Sequence, residues 1–125
     1  MLQNSPIIPY IPASDLARAR KFYEEVIGFK PSQEVNGGIV YRCGNGTEVF
    51  LYVSQGAGTS QASQAFFPVT DIKAEMTELR SRGLEFEHYD VPGMKMEDDI
   101  MIGGGAMAAW FKDSEGNIMA IVQSV

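Results

Sequence analysis

The segment Ile11-Pro12-Ala13-Ser14-Asp15-Leu16 is echoed by Phe67-Pro68-Val69-Thr70-Asp71-Ile72, with the two aspartates 56 residues apart. Each copy reads as a short apolar strand that ends at a helix cap. A carboxylate at that position accepts a bond from an otherwise unpaired first-turn N–H and faces the positive end of the helix dipole. After Asp15, the apolar residues Leu16, Ala19, Phe22, Tyr23, Val26 and Ile27 recur every three or four positions, and Gly28 stops the run. After Asp71 the stripe is Ile72, Met76 and Leu79, ended by Gly83. Both patterns predict amphipathic helices with one buried face.

Strand signals follow each helix: Lys30–Val35, Ile39–Cys43 and Glu48–Val53 in the first half, and Leu84–Tyr89, Met107–Lys112 and Ile118–Gln123 in the second. Asn36-Gly37-Gly38, Gly44-Asn45-Gly46 and Ser114-Glu115-Gly116-Asn117 supply the turns. The expected order is therefore strand, helix and three strands, twice. The reading is one domain over residues 1–125, made of a first unit, 1–56, and a second, 62–125. The long segment Asp90–Ala106, with Pro92, Gly93 and Gly103-Gly104-Gly105, interrupts the symmetry and is expected to be a loop bordering the ligand site.

A chain of 125 residues with 45% hydrophobic and 21% charged residues has the composition of one globular domain. No apolar run reaches the roughly 18–20 residues of a bilayer span, and Met1–Pro6 lacks the basic and apolar regions of a secretion signal. A cytoplasmic protein without membrane partners is expected. A single cysteine, Cys43, agrees with a reducing compartment and reads as a small packing residue. The net charge of -6, with 10 unclustered Lys and Arg, opposes nucleic acid and suits a neutral or cationic small molecule.

Alternation in the strands assigns Ile8, Tyr10 and Pro12 to the face away from the helix, and likewise Gln64, Phe66 and Pro68. Aligning Gly46 with Gly116 pairs Phe50 with Ala120 and Tyr52 with Val122. The ligand surface expected from this alternation is aromatic and nearly uncharged: Ile8, Tyr10, Phe50, Tyr52, Phe66, Trp110 and Ala120, with Gln64 as a polar contact. His88, the only histidine, stands near Tyr89, Asp90, Glu97, Asp98 and Asp99 and is a further candidate contact. The catalytic residues are unassigned.

The motifs Ser14-Asp15-Leu16 with Phe22-Tyr23 and Gly28-Phe29, Thr70-Asp71-Ile72 with Leu79 and Arg82-Gly83, and Trp110-Phe111-Lys112-Asp113-Ser114-Glu115-Gly116-Asn117-Ile118 occur in this order. Together they resemble the glyoxalase, bleomycin-resistance and extradiol-dioxygenase superfamily, also called the vicinal oxygen chelate family, over nearly the whole chain. The resemblance implies an α+β fold of two paired βαβββ modules whose curved mixed sheets surround a central cavity, in a homodimer. In metal-dependent members four side chains, usually His, Gln or Glu, hold a cation. The matching positions here are Ile8, Phe50, Gln64 and Ala120. Only Gln64 has a donor atom, whereas a catalytic divalent metal takes about three protein ligands. The expectation is a binding protein of the bleomycin-resistance type with no metal and no cofactor. The alternatives are a lyase or isomerase with a non-standard site built on His88 or loop carboxylates, and an interaction or regulatory module.

Overall fold

The computed structural model describes residues 1–124. The chain divides into two compact units, Met1–Ala57 and Gly58–Val125, each built on one sheet. The first sheet has the order β1-β4-β3-β2, with β1 (Tyr10–Ala13), β2 (Lys30–Val35), β3 (Gly38–Arg42) and β4 (Glu48–Val53). Strand β1 runs parallel to β4, and the remaining pairs are antiparallel. A parallel pair cannot be closed by a tight turn. The helix after β1 starts the crossover.

Both predicted caps are formed: Asp15 accepts from the Arg18 N–H and Asp71 from the Ala74 N–H. The first helix, α1 (Leu16–Lys21), widens into a π-helical turn over Phe22–Ile27, a feature the uniform periodicity did not announce. Its end is drawn together by one acceptor, because the Tyr23 carbonyl receives both the Gly28 and the Phe29 N–H. Gly28 takes φ 91° there, a left-handed conformation that glycine adopts without a Cβ penalty. Ile11, Ala13, Ala19, Tyr23, Ile39, Tyr41 and Leu51 form the buried core of this unit. Within it Tyr23, Phe29 and Tyr41 pack ring against ring.

The second unit has β5 (Ser63–Pro68), α2 (Ile72–Ser81), β6 (Lys95–Glu97), β7 (Ile100–Gly103), β8 (Ala106–Lys112) and β9 (Ile118–Ser124), in the sheet order β5-β9-β8-β7-β6. Here again the first strand is parallel to the last, and Ile72, Met76 and Leu79 carry the buried stripe of the helix. The helix is tied to that strand through its first turn, where Gln123 Oε1 accepts the Ile72 N–H.

Two sequence expectations fail in this unit. The segment expected as a loop over 90–106 contains the β6–β7 hairpin, so the unit has one strand more than its counterpart. The connecting residues Asp98 and Asp99 take φ 50° and 66°. Asp tolerates the left-handed region better than most side chains, and strands of three and four residues are too short to show a period. Conversely, Leu84–Tyr89 makes only the isolated bridge Phe86–Phe111 instead of a full strand. Strand β7 pairs with β8 over Ala106–Ala108, leaving the 84–89 segment a single bridge farther along β8.

The turn between β8 and β9 is organised by a buried carboxylate. Asp113 accepts from the Glu115 and Asn117 backbone N–H groups and from Asn117 Nδ2, at 2.8–2.9 Å. Asn117 in turn accepts the Gly58 N–H at 3.0 Å, fixing the start of the unit to its last hairpin. No helix among the described residues is long and apolar enough to cross a membrane.

Replacing Asp113 with Ala strands these buried donors, and urea unfolding is expected to show a loss of about 3 kcal/mol or more, since each buried unsatisfied donor costs roughly 1–3 kcal/mol. In the first unit, burial raises the Glu24 carboxyl pKa, but hydrogen bonds from Tyr41 and Arg20 outweigh it and hold the group below the ordinary carboxylate value. A group depressed on folding stabilises the fold above its unfolded pKa and loses that contribution as the pH falls. Stability should therefore decline from about pH 4.5 downward. Tyr41→Phe should lower stability at pH 7 by about 1.5 kcal/mol and flatten that acid limb, as followed by denaturant titration at several pH values.

Candidate functional site

Strand alternation gives each sheet a buried face and an open one. In the first unit Tyr10, Phe50 and Tyr52 stand on the open face, brought together by the Tyr10–Phe50 and Pro12–Tyr52 register. Tyr10 packs edge-on against Phe50 and Tyr52, at 5.0 and 4.9 Å between centroids, while those two rings lie nearly parallel. Gly38 is what lets Phe50 lie down: a Cβ at that position would collide with the ring. The cluster is not sealed, since Tyr10 remains 62% exposed. Aromatic pairs of this kind stabilise by about 0.5–1.5 kcal/mol each beyond simple burial.

The second unit carries a cavity of about 310 Å³ on its own open face, lined by Ser63, Gln64, Ala65, Phe66, Trp110, Ala120 and Val122. Its floor follows from the Phe66–Ala120 and Trp110–Ala120 register, with the small Ala120 between two aromatic neighbours. The neighbours of Trp110 along β8, Ala109 and Phe111, are buried on the opposite face. The indole is held at both ends: Nε1–H donates to Ser63 Oγ at 3.1 Å, and the Tyr89 ring meets it edge-on at 5.8 Å. Burial, with Glu87 adding to it, pushes the Tyr89 hydroxyl pKa up, so this wall is neutral at physiological pH. Phe66 is 60% exposed beside the cavity.

The sequence candidates thus fall into two groups, Tyr10, Phe50 and Tyr52 in one unit, and Gln64, Phe66 and Trp110 in the other. His88 joins neither. Its Nδ1 lies 3.1 Å from Asp99 and its Nε2 3.5 Å from Asp90, on an exposed stretch of chain. Sequence reasoning missed Ser63 and Tyr89 as site residues. Tyr89 ends the 84–89 segment, expected as a strand of the second repeat, and its position is set by the Glu87 N–H bond to the Trp110 carbonyl and by its own N–H on the Met96 sulfur. Neither bond leaves a periodic trace. On the helix side of the same sheet, a second cavity of about 360 Å³ is lined by Lys73, Glu97, Asp98, Ile100, Ile102 and Met107 and contains no aromatic ring.

The side chains at the positions implied to hold a metal do not fit one. Ile8, Phe50 and Ala120 have no donor atoms; the Phe50 ring covers Gly38, and Ala120 lines the cavity floor. Among the described residues, no group of three His, Cys, Asp or Glu side chains is placed to hold an ion. Burial, with Glu48 adding to it, pushes the Cys43 thiol pKa up, which disfavours the thiolate.

Solved structures similar to this chain share its fold. A glyoxalase/bleomycin resistance protein/dioxygenase from Alicyclobacillus acidocaldarius aligns at 20% identity and TM-score 0.71, covering 97% of this chain and 92% of that one. A lactoylglutathione lyase from Agrobacterium tumefaciens aligns at 18% identity and TM-score 0.67, covering 95% and 93%. A virulence protein from Salmonella typhimurium aligns at 21% identity and TM-score 0.65, covering 93% of each chain. No curated protein matches the chain. The sequence model of the Glyoxalase/Bleomycin resistance protein/Dioxygenase superfamily matches residues 7–121, which is most of the chain and includes both β-α-β units, and the chain belongs to that superfamily.

Proposed function

We propose that this protein binds a neutral or cationic small molecule without a metal, holding it against an aromatic open sheet face. The observation that carries this reading is the cavity of about 310 Å³ walled by Trp110 and Phe66 and lined, among the described residues, by no charged side chain. The open face of the first unit, with Tyr10, Phe50 and Tyr52, is chemically of the same kind. Burying about 250 Å² of apolar ligand surface at about 25 cal/mol per Å² contributes roughly 6 kcal/mol. Association costs of about 4 kcal/mol or more offset most of that, so stacking and hydrogen bonds must supply the remainder, and micromolar affinity is the expectation. Lyase or isomerase chemistry finds less support. His88 lies apart from the aromatic residues, and the donor set at the implied metal positions is a single amide.

We also propose that the chain works as a homodimer. Ile7, Tyr10 and Val53 of the first unit and Phe66 of the second are between 49% and 92% exposed, apolar side chains that a partner could cover. The free edges of two sheets would gain protection from a symmetric partner. Sedimentation at tens of micromolar should report a dimer, and a monomer would overturn this assignment.

Trp110 is the only tryptophan, so its emission reports the cavity alone. A bound planar aromatic compound should quench it, and Trp110→Ala should weaken binding by about tenfold or more, as expected for loss of a stacking platform. Because the indole is only partly buried, the same substitution should cost about 2 kcal/mol in stability, below the 3–5 kcal/mol typical of a core aromatic. Unchanged affinity with a core-sized stability loss would remove Trp110 from the site.

A further inference from the structure

The cavity of the second unit has a narrow polar vocabulary. The Trp110 N–H is already given to Ser63 Oγ. Among the described residues, no charged side chain lines the space. A charged ligand group entering it would lose water and meet no counter-charge, which is costly. What remains is the Ser63 O–H, a single donor, and Gln64, an exposed side chain on the rim at the irregularity between Ser63 and Ala65 where β5 slips against β9. Among the described residues its side chain has no hydrogen-bond partner. A carboxamide offers an acceptor oxygen and two N–H donors in one plane. Its complement is a planar group that also presents one donor and one acceptor side by side.

From this geometry we propose that the cavity selects a neutral, planar ring carrying a lactam edge, with the ring stacked on Trp110 and the adjacent N–H and C=O paired with the Gln64 amide. The inference rests on the binding function proposed above and narrows its ligand. A ring with an N–H beside a C=O satisfies both the oxygen and an N–H of Gln64, whereas an N-alkylated ring satisfies one and leaves the other desolvated. A site built to pair a polar group discriminates against an analogue that lacks it more strongly than an apolar pocket discriminates by size.

Isothermal titration of the full chain with three probes of one ring size tests this: 2-quinolone, N-methyl-2-quinolone and N-methylquinolinium. The wild type should bind 2-quinolone about tenfold more tightly than either analogue, the effect of one additional paired hydrogen bond once the ligand covers the Gln64 amide. Gln64→Leu should bring 2-quinolone down to the level of N-methyl-2-quinolone while changing the latter by no more than about twofold. Gln64→Glu should shift the preference toward N-methylquinolinium, because the carboxylate supplies the missing counter-charge. Circular dichroism identifies any variant that fails to fold, and the wild-type ranking of the three probes decides the question independently of the variants. Binding that depends on Trp110 but ranks the probes equally overturns the lactam assignment and leaves the aromatic cavity standing. Absence of Trp110-dependent binding by all three overturns both.

Discussion

One short helix covers one face of a four- or five-stranded sheet and leaves the other uncovered. Everything specific to this chain follows from that constraint. Ile72, Met76 and Leu79 of α2 are buried, and so are Ala109, Phe111, Met119 and Ile121 of the sheet. The alternate residues of the same strands, Phe66, Trp110 and Val122, are left on the open face because side chains in a strand alternate strictly. The same division puts Ile11, Ile39 and Leu51 inside the first unit and Tyr10, Phe50 and Tyr52 outside its core. Large apolar side chains on an exposed sheet face carry a solubility cost, and both sheets bear them.

The superfamily scaffold tolerates replacement of its implied donors because the donors do not hold the fold. Strand pairing, the two aspartate caps and the Asp113 turn do. With Ile8, Phe50 and Ala120 at the implied metal positions, three of the four side chains there have no donor atom. Gly38 records this change in the backbone, since it makes room for a ring where another residue type would exclude it. The departure from symmetry lies in the second unit. There the β6–β7 hairpin and the chain leading to it deliver Tyr89 to the edge of Trp110, with the Met96 sulfur accepting the Tyr89 N–H. Loops and irregular insertions commonly carry specificity on a shared frame, and here the insertion modifies one unit of a duplicated pair.

Several elements were legible directly. Asp15 and Asp71 sit at the strand-to-helix junctions where the repeat placed them, and Glu48–Val53 spans β4 as read. The open-face placement of Trp110 beside Ala120 was legible because both strands alternate without a break between their residues 109–112 and 118–122. Other features escaped for identifiable reasons. The π-helical turn at Phe22–Ile27 adds a residue to a helix without altering its composition. The hairpin over 95–103 rests on two Asp residues in left-handed conformations rather than on a glycine-containing turn, so the turn residues that marked the other hairpins were absent. The 84–89 segment had the pattern of a strand but only a single bridge to β8.

The sequence by itself determined the repeated strand–cap–helix units, which strand residues share a face, the shortage of metal donors and the aromatic character of the open faces, because these depend on residue type and short-range periodicity. Only the tertiary structure decided that Ser63 receives the Trp110 N–H, that Tyr89 closes against the indole, that Gln64 has no side-chain hydrogen-bond partner among the described residues and that His88 is engaged with Asp90 and Asp99 instead. Those pairings join residues from 2 to 47 positions apart, and no local propensity encodes them. They are settled by strand register, by one hairpin with an unusual turn and by the competition of each polar group for the nearest partner once the backbone is in place.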